Sequence, residues 1–168
     1  AETVRTSPQR DHEFDQVLAS VADVEGWMSD GQARRLWDRA RALGPGSRIV
    51  EIGSFRGRSA VVLGRAAKEQ VEVVAIDPHA GNDRGPSEWS GPAEAGQSDH
   101  EIFLANLERA GVAARVRYVR EFSREALDAV EGPIDMLYVD GSHRPAEAAA
   151  DIRAWGEGRH STRSTSAR

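Results

Sequence analysis

Glycines and carboxylates fall together at the ends of apolar runs in this sequence, where they could hold a ligand. The run RIVEIG (48–53) contains Glu51 and closes on Gly53, VEVVAID (71–77) closes on Asp77, and IDMLYVD (134–140) closes on Asp140. If these runs are parallel strands, the three carboxylates gather at one sheet edge. Open α/β sheets bind their ligands at that edge. Gly53 permits a sharp turn and close backbone approach, and Gly57 lets the next helix start tight against the sheet. The N–H groups at that helix start favour an electron-rich ligand. The same glycines would also suit a packing turn with no ligand. Asp77 lies near the spacing, roughly 20 residues on from the glycine loop, at which dinucleotide-binding folds place an acid on the ribose hydroxyls. Since Pro78 follows it, Asp77 could instead initiate a turn.

Alternating elements must position these groups. A helix is expected from Asp11, with Phe14, Val17, Leu18 and Val21 at helical spacing, and another from Asp30 to Leu43, stopped by Gly44-Pro45-Gly46. Strand and helix then alternate. The expected strands are 48–53, 71–77, 115–119 and 134–140. The expected helices are 58–68, 98–110, 123–130 and 145–155. The third of these helices, counting from 58, is the short one at 123–130. The helix at 98–110 carries a capping box, Ser98 to Glu101, and ends at Gly111. This alternation predicts a doubly wound, Rossmann-like α/β sheet with parallel strands. Residues 78–97 form a long Gly/Pro/Ser-rich loop in which Trp89 could act as a lid, and 156–168 is a polar tail. Trp37 and Trp155 sit on apolar helical stripes and are expected in the core. Arg34, Arg35, Arg39 and Arg41 are expected on a solvated helix face. His12, His100 and His160 are expected at the surface.

The chain has 168 residues, with 39% hydrophobic and 29% charged, enough for one domain with a core. A formal net charge of -5 argues against a nucleic-acid partner. Cysteine is absent, which excludes a disulfide framework or thiolate metal site and fits a cytoplasmic setting. No apolar run approaches the roughly 20 residues that span a membrane, and the first residues lack a signal-peptide core.

Three blocks, VEIGSFRGRSAVVLGRAA, VVAIDPHAG and IDMLYVDGSHRPAEAAADIRAW, occur in order and together resemble the class I S-adenosylmethionine-dependent methyltransferases that carry a D-G-x-H motif after strand four. O-methyltransferases and cephalosporin-hydroxylase-like proteins belong to that group. The resemblance covers roughly residues 26–155 and implies S-adenosylmethionine as cofactor. It implies that Glu51 and Gly53 line the methionine moiety, with Ser54 and Phe55 close by, and that Gly57, Ser59 and Asp140 also belong to the cofactor-binding set. Asp77 would hold the ribose, His79 would border that pocket, and Phe122 and Ser123 would flank adenine. Ser123 would serve equally as a helix N-cap. In Asp140-Gly141-Ser142-His143, the turn would let Asp140 and His143 face the cleft. His143 could then accept a proton from an acceptor hydroxyl. Asp140 could orient it or help hold a divalent metal. A D-G turn with a capping His is the plainer alternative.

The same resemblance implies strand order 3-2-1-4, truncated before strands 5–7. A divalent metal in full-length relatives would draw further ligands from that region. The expected organisation is a helical segment (1–44), a Rossmann-like cofactor-binding domain (45–155) and a disordered polar tail (156–168). The expected function is O-methylation of a small hydroxylated molecule. The alternatives are a nicotinamide-dependent oxidoreductase or a non-catalytic truncated fragment. With strand four at an edge, self-association through it is also expected.

Overall fold

The computed structural model describes residues 8–81, 91–141 and 145–156. Trp89, His143, His160 and the tail from 157 lie outside the described residues. Two helices, α1 (Pro8–Ser20) and α2 (Asp30–Ala42), precede an alternating series. That series is β1 (Arg48–Ile52), α3 (Arg58–Ala66), β2 (Glu72–Ile76), α4 (Ala93–Arg109), β3 (Val116–Val119), a 3₁₀ turn (Ala126–Ala129), β4 (Met136–Val139) and α5 (Pro145–Gly156). The sheet has order β3-β2-β1-β4, and all its pairs are parallel.

Alternation along the strands divides the core in two, because successive side chains of a strand point to opposite faces. Ile49, Val73 and Ala75 pack with α1 to α4 around Val17, Leu36, Trp37, Leu63 and Phe103. Val50, Ile52, Val74 and Ile76 pack on the other face with Ala126, Ile134 and Trp155. Trp37 and Trp155 are both core residues, 3% and 1% exposed. Of the α2 arginines, Arg35 and Arg39 are exposed as expected, while Arg34 and Arg41 are half-buried. Arg34 pairs with Asp11 and Arg41 with Glu13, tying α2 to α1.

Two expected elements differ. Helix α4 starts at Ala93 with Pro92 at its N-cap, so Ser98 and Glu101 lie inside it and form no cap. Pro92 sets an extended entry. Gly96, expected in a loop, lies within the helix and marks a close approach: a Cβ there would lie 2.3 Å from the His79 carbonyl oxygen. The helix expected at 123–130 contracts to the 3₁₀ turn at Ala126–Ala129.

Candidate functional site

The segment joining β1 to α3 is bent by three left-handed residues: Gly53 (φ 86°), Phe55 (φ 47°) and Gly57 (φ 90°). At Gly53 a side chain is excluded on space as well as φ, since a Cβ would fall 2.2 Å from the Gly141 Cα. The turns after β1 and β4 are therefore in contact, which brings Asp140 beside the glycine loop.

The turn after β2 grips this loop. One Asp77 oxygen accepts the backbone N–H of Ser54 (2.9 Å) and of Phe55 (2.8 Å), and the other accepts the His79 N–H (2.7 Å). The last bond is the Asx-type turn that Asp before Pro favours. Asp77 thus fills its turn role while its side chain stays 15% exposed on the cleft. His79 lines the cleft, yet its side chain is only 1% exposed. Its Nε2 meets the Phe55 carbonyl at 2.5 Å and its Nδ1 meets the Tyr118 hydroxyl. Burial, reinforced by Asp77, pushes the Tyr118 phenol above its ordinary range.

Glu51 does not face the cleft. It is fully buried beneath the loop, where Ser54 Oγ donates to it at 2.7 Å and Ser59 Oγ donates to its other oxygen. Burial pushes its carboxyl up to about 7; the Ser59 and Ser54 hydroxyls oppose the rise, while Asp140 and Asp77 add to it. The expectation that Glu51 lines a ligand is corrected accordingly. Ser54, Gly57 and Ser59 likewise shape the loop from behind rather than lining the cleft. Tyr138 donates to Asp140 at 3.3 Å, and burial, with Asp140 next, pushes this phenol up as well.

The resulting cleft, of about 440 Å³, lies at the carboxyl ends of the strands. Gly53, Phe55, Asp77, His79, Phe122, Ser123, Asp140 and Gly141 all contribute to its lining. Its volume is in the range of small-molecule and cofactor sites. Ser123 caps no helix. Its hydroxyl bonds Asp151 of α5 at 2.5 Å, and its carbonyl accepts Trp155 Nε1 at 3.2 Å. Phe122 is half exposed. His100 is not a surface residue of the kind expected. Its ring packs against His79 and Tyr118, and burial, then Arg120 and His79, hold its pKa below the usual value. Among the described residues no group of three or more His, Asp or Glu is placed to hold a metal ion.

Residues the sequence did not single out also shape the site. Trp27 lines the cleft and lies over Phe55 with ring centroids 5.3 Å apart. Arg56 reaches Glu25 and, at 2.9 Å, the buried Asp99 of α4, fixing the loop to both neighbours. Tyr118 supports His79 from β3. Arg56 stands within the loop, and only the fold brings Trp27, Tyr118, Glu25 and Asp99 to it.

A family described as a methyltransferase domain matches residues 50–160, which span the sheet and both glycine turns. The chain belongs to this methyltransferase domain family. Solved structures agree. The cofactor-bound protein Rv0187 from MTB is 27% identical with a TM-score of 0.57, the match covering 90% of this chain and 62% of that one. The O-methyltransferase TomG from Streptomyces achromogenes, involved in tomaymycin synthesis and solved in complex with SAM, is 25% identical with a TM-score of 0.52, covering 78% and 54%. An O-methyltransferase from Bacillus cereus in complex with SAH shares the fold at 20% identity and a TM-score of 0.52, covering 83% and 57%. The chain therefore spans 54% to 62% of the length of these solved proteins. In this methyltransferase domain the glycine loop has no G-x-G-x-x-G, and the family match gives the nicotinamide alternative no support. Among the described residues no helix is long and apolar enough to cross a membrane.

Proposed function

We propose that this methyltransferase domain binds S-adenosylmethionine in the cleft and supports transfer of its methyl group to an oxygen of a small hydroxylated acceptor. The observation that carries the reading is the meeting of the Gly53 loop, Asp77 and Asp140 on one cleft at the carboxyl edge of β2, β1 and β4. S-adenosylmethionine supplies an electrophilic methyl group on a sulfonium. The chain's own part is to hold and orient. The exposed part of Asp77 accepts ribose hydroxyls, Phe122 and Ser123 flank the base, and the Gly53–Phe55 backbone runs beside the methionine part. Methyl transfer is an in-line displacement, so fixing the two reactants against each other supplies much of the catalysis. TomG, solved with SAM and named an O-methyltransferase, supports both the cofactor and the acceptor atom.

The test is thermal unfolding with S-adenosylhomocysteine. A ligand that binds only the folded state adds RT ln(1 + [L]/Kd), about 1.4 kcal/mol at ten times Kd. That raises the Tm by roughly 3–6 °C for a domain of this size. A rise with NAD and none with S-adenosylhomocysteine would overturn the proposal.

The proposal includes self-association. β4 pairs with β1 alone among the described residues, and Met136, Leu137, Tyr138 and Val139 are only half-buried. An apolar edge with free N–H and C=O groups is a template for another strand. Light scattering behind size exclusion is expected to show species larger than the monomer, with amide protection at 136–139 rising with concentration. A monomer whose β4 protection is independent of concentration would exclude this interface.

A further inference from the structure

We propose that His79 is a positioning residue for the cofactor loop, acting through the backbone of Phe55. A left-handed conformation is strained for a non-glycine residue, so surrounding contacts must hold it. Phe55, at φ 47°, is held on both sides by the turn after β2. Its N–H is taken by Asp77 Oδ2 at 2.8 Å, and its carbonyl meets His79 Nε2 at 2.5 Å. A carbonyl oxygen only accepts, so His79 Nε2 carries the proton. The imidazole is fixed in that role by its surroundings. Nδ1 faces the Tyr118 hydroxyl, the ring packs on Phe103 and His100, and the backbone N–H is held by Asp77 Oδ1 at 2.7 Å. The Arg120 guanidinium reaches the His79 carbonyl at 3.5 Å, steadying the turn from the β3 side. His79 is itself left-handed, at φ 44°. The strained pair Phe55 and His79 therefore hold one another across the floor of the cleft. Phe55 in turn carries Trp27 at the cleft's mouth. The imidazole sets the shape of the cleft without offering a free nitrogen to a ligand.

Two isosteric substitutions separate this role from a plain turn role. In His79→Gln the amide nitrogen sits where Nε2 sat and can donate to the Phe55 carbonyl. In His79→Asn the amide reaches only as far as Nδ1, toward Tyr118, and the Phe55 bond is lost. A left-handed backbone favours Asn over Gln, so a turn role predicts that Asn is the better substitute. The positioning role predicts the reverse. In the ligand-free protein, amide exchange at residues 54–57 is expected to stay within ~3-fold of wild type in His79→Gln and to quicken ~10-fold in His79→Asn, the loss of one hydrogen bond. S-adenosylhomocysteine affinity by calorimetry is expected to follow the same order, a readout that rests on the proposed cofactor. If wild type binds no S-adenosylhomocysteine, the cofactor reading fails while the exchange comparison still decides His79. His79→Asn exchanging like wild type, or His79→Gln quickening as much as His79→Asn, overturns the proposal.

Discussion

Asp77→Ala is expected to weaken S-adenosylhomocysteine binding by about 3 kcal/mol or more, roughly 150-fold, and to destabilise the ligand-free fold as well. Either effect alone would follow from a simpler picture. A carboxylate that only gripped ribose would cost affinity and leave folding untouched. A carboxylate that only started a turn would cost stability and leave affinity untouched. The structure gives Asp77 both kinds of contact. Its oxygens accept three backbone N–H groups, from Ser54, Phe55 and His79, and its remaining exposed surface lies on the cleft. Hydrogen bonds to a charged group contribute about 1.5–3 kcal/mol each, and their loss leaves part-buried donors unpaired. Removing the side chain releases the loop that must be formed before a ligand can bind, so the ordering of residues 53–57 falls on the binding step. Asp77→Asn is expected to lie between wild type and Ala. It keeps one acceptor oxygen but turns an NH₂ toward an N–H group that has lost its acceptor. Calorimetry and urea unfolding on the same preparations check this. Unchanged affinity beside lowered stability would return Asp77 to a turn role alone.

The strands were legible because apolar runs bounded by polar turns leave little choice. Val50, Ile52, Val74 and Ile76 face one layer while Ile49, Val73 and Ala75 face the other, so β1 and β2 are apolar on both sides, as interior parallel strands are. Asp77 was legible for the same reason: it stands where an apolar strand stops. The start of α4 was not. Ser98 and Glu101 spell a cap and the residues up to 97 read as loop, but helix α4 begins at Ala93 and runs through them, packed on the turn after β2 where only a residue without a Cβ fits at 96. Tertiary contact overrode the local signal there.

The site divides in the same way. Residues on the loop itself could be named from its glycines. The direction in which each side chain points could not. Glu51 and Gly53 are two apart on β1 and its turn, yet Gly53 lines the cleft and Glu51 lies under it. Ser123 reads as a cap or a ligand contact; it caps no helix, lines the cleft, and also joins α5 through Asp151 and Trp155. Trp27, ahead of α2, and Tyr118 of β3 reach the site from outside the loop, while Arg56, within it, ties the loop to Glu25 and Asp99, and no spacing in the sequence connects these partners.

The buried position of Glu51 sets a pH dependence whose sign is opposite to that of a paired surface carboxylate. Its folded pKa stands at about 7 against an ordinary 4.5, chiefly because burial disfavours the charge. Between those values the folded state binds a proton that the unfolded chain has released. Stability therefore falls as pH rises through this window. Its contribution is full below about 4.5 and lost as pH passes about 7. At 1.36 kcal/mol per pH unit the whole window corresponds to roughly 3 kcal/mol. Glu51→Gln removes the ionisation and keeps nearly the same shape. The Ser54 and Ser59 hydroxyls can rotate to meet an amide, at a cost of about 1 kcal/mol. Near pH 5, where wild-type Glu51 is largely neutral, the variant is expected to be slightly less stable than wild type. Near pH 8 it is expected to be more stable, and the difference between the two proteins should shift by roughly 3 kcal/mol across the range. Urea unfolding of both at pH 5, 6, 7 and 8 measures that difference directly, and the other carboxylates cancel in the comparison. Parallel stability profiles would show that Glu51 titrates in the ordinary range and that water reaches it beneath the loop.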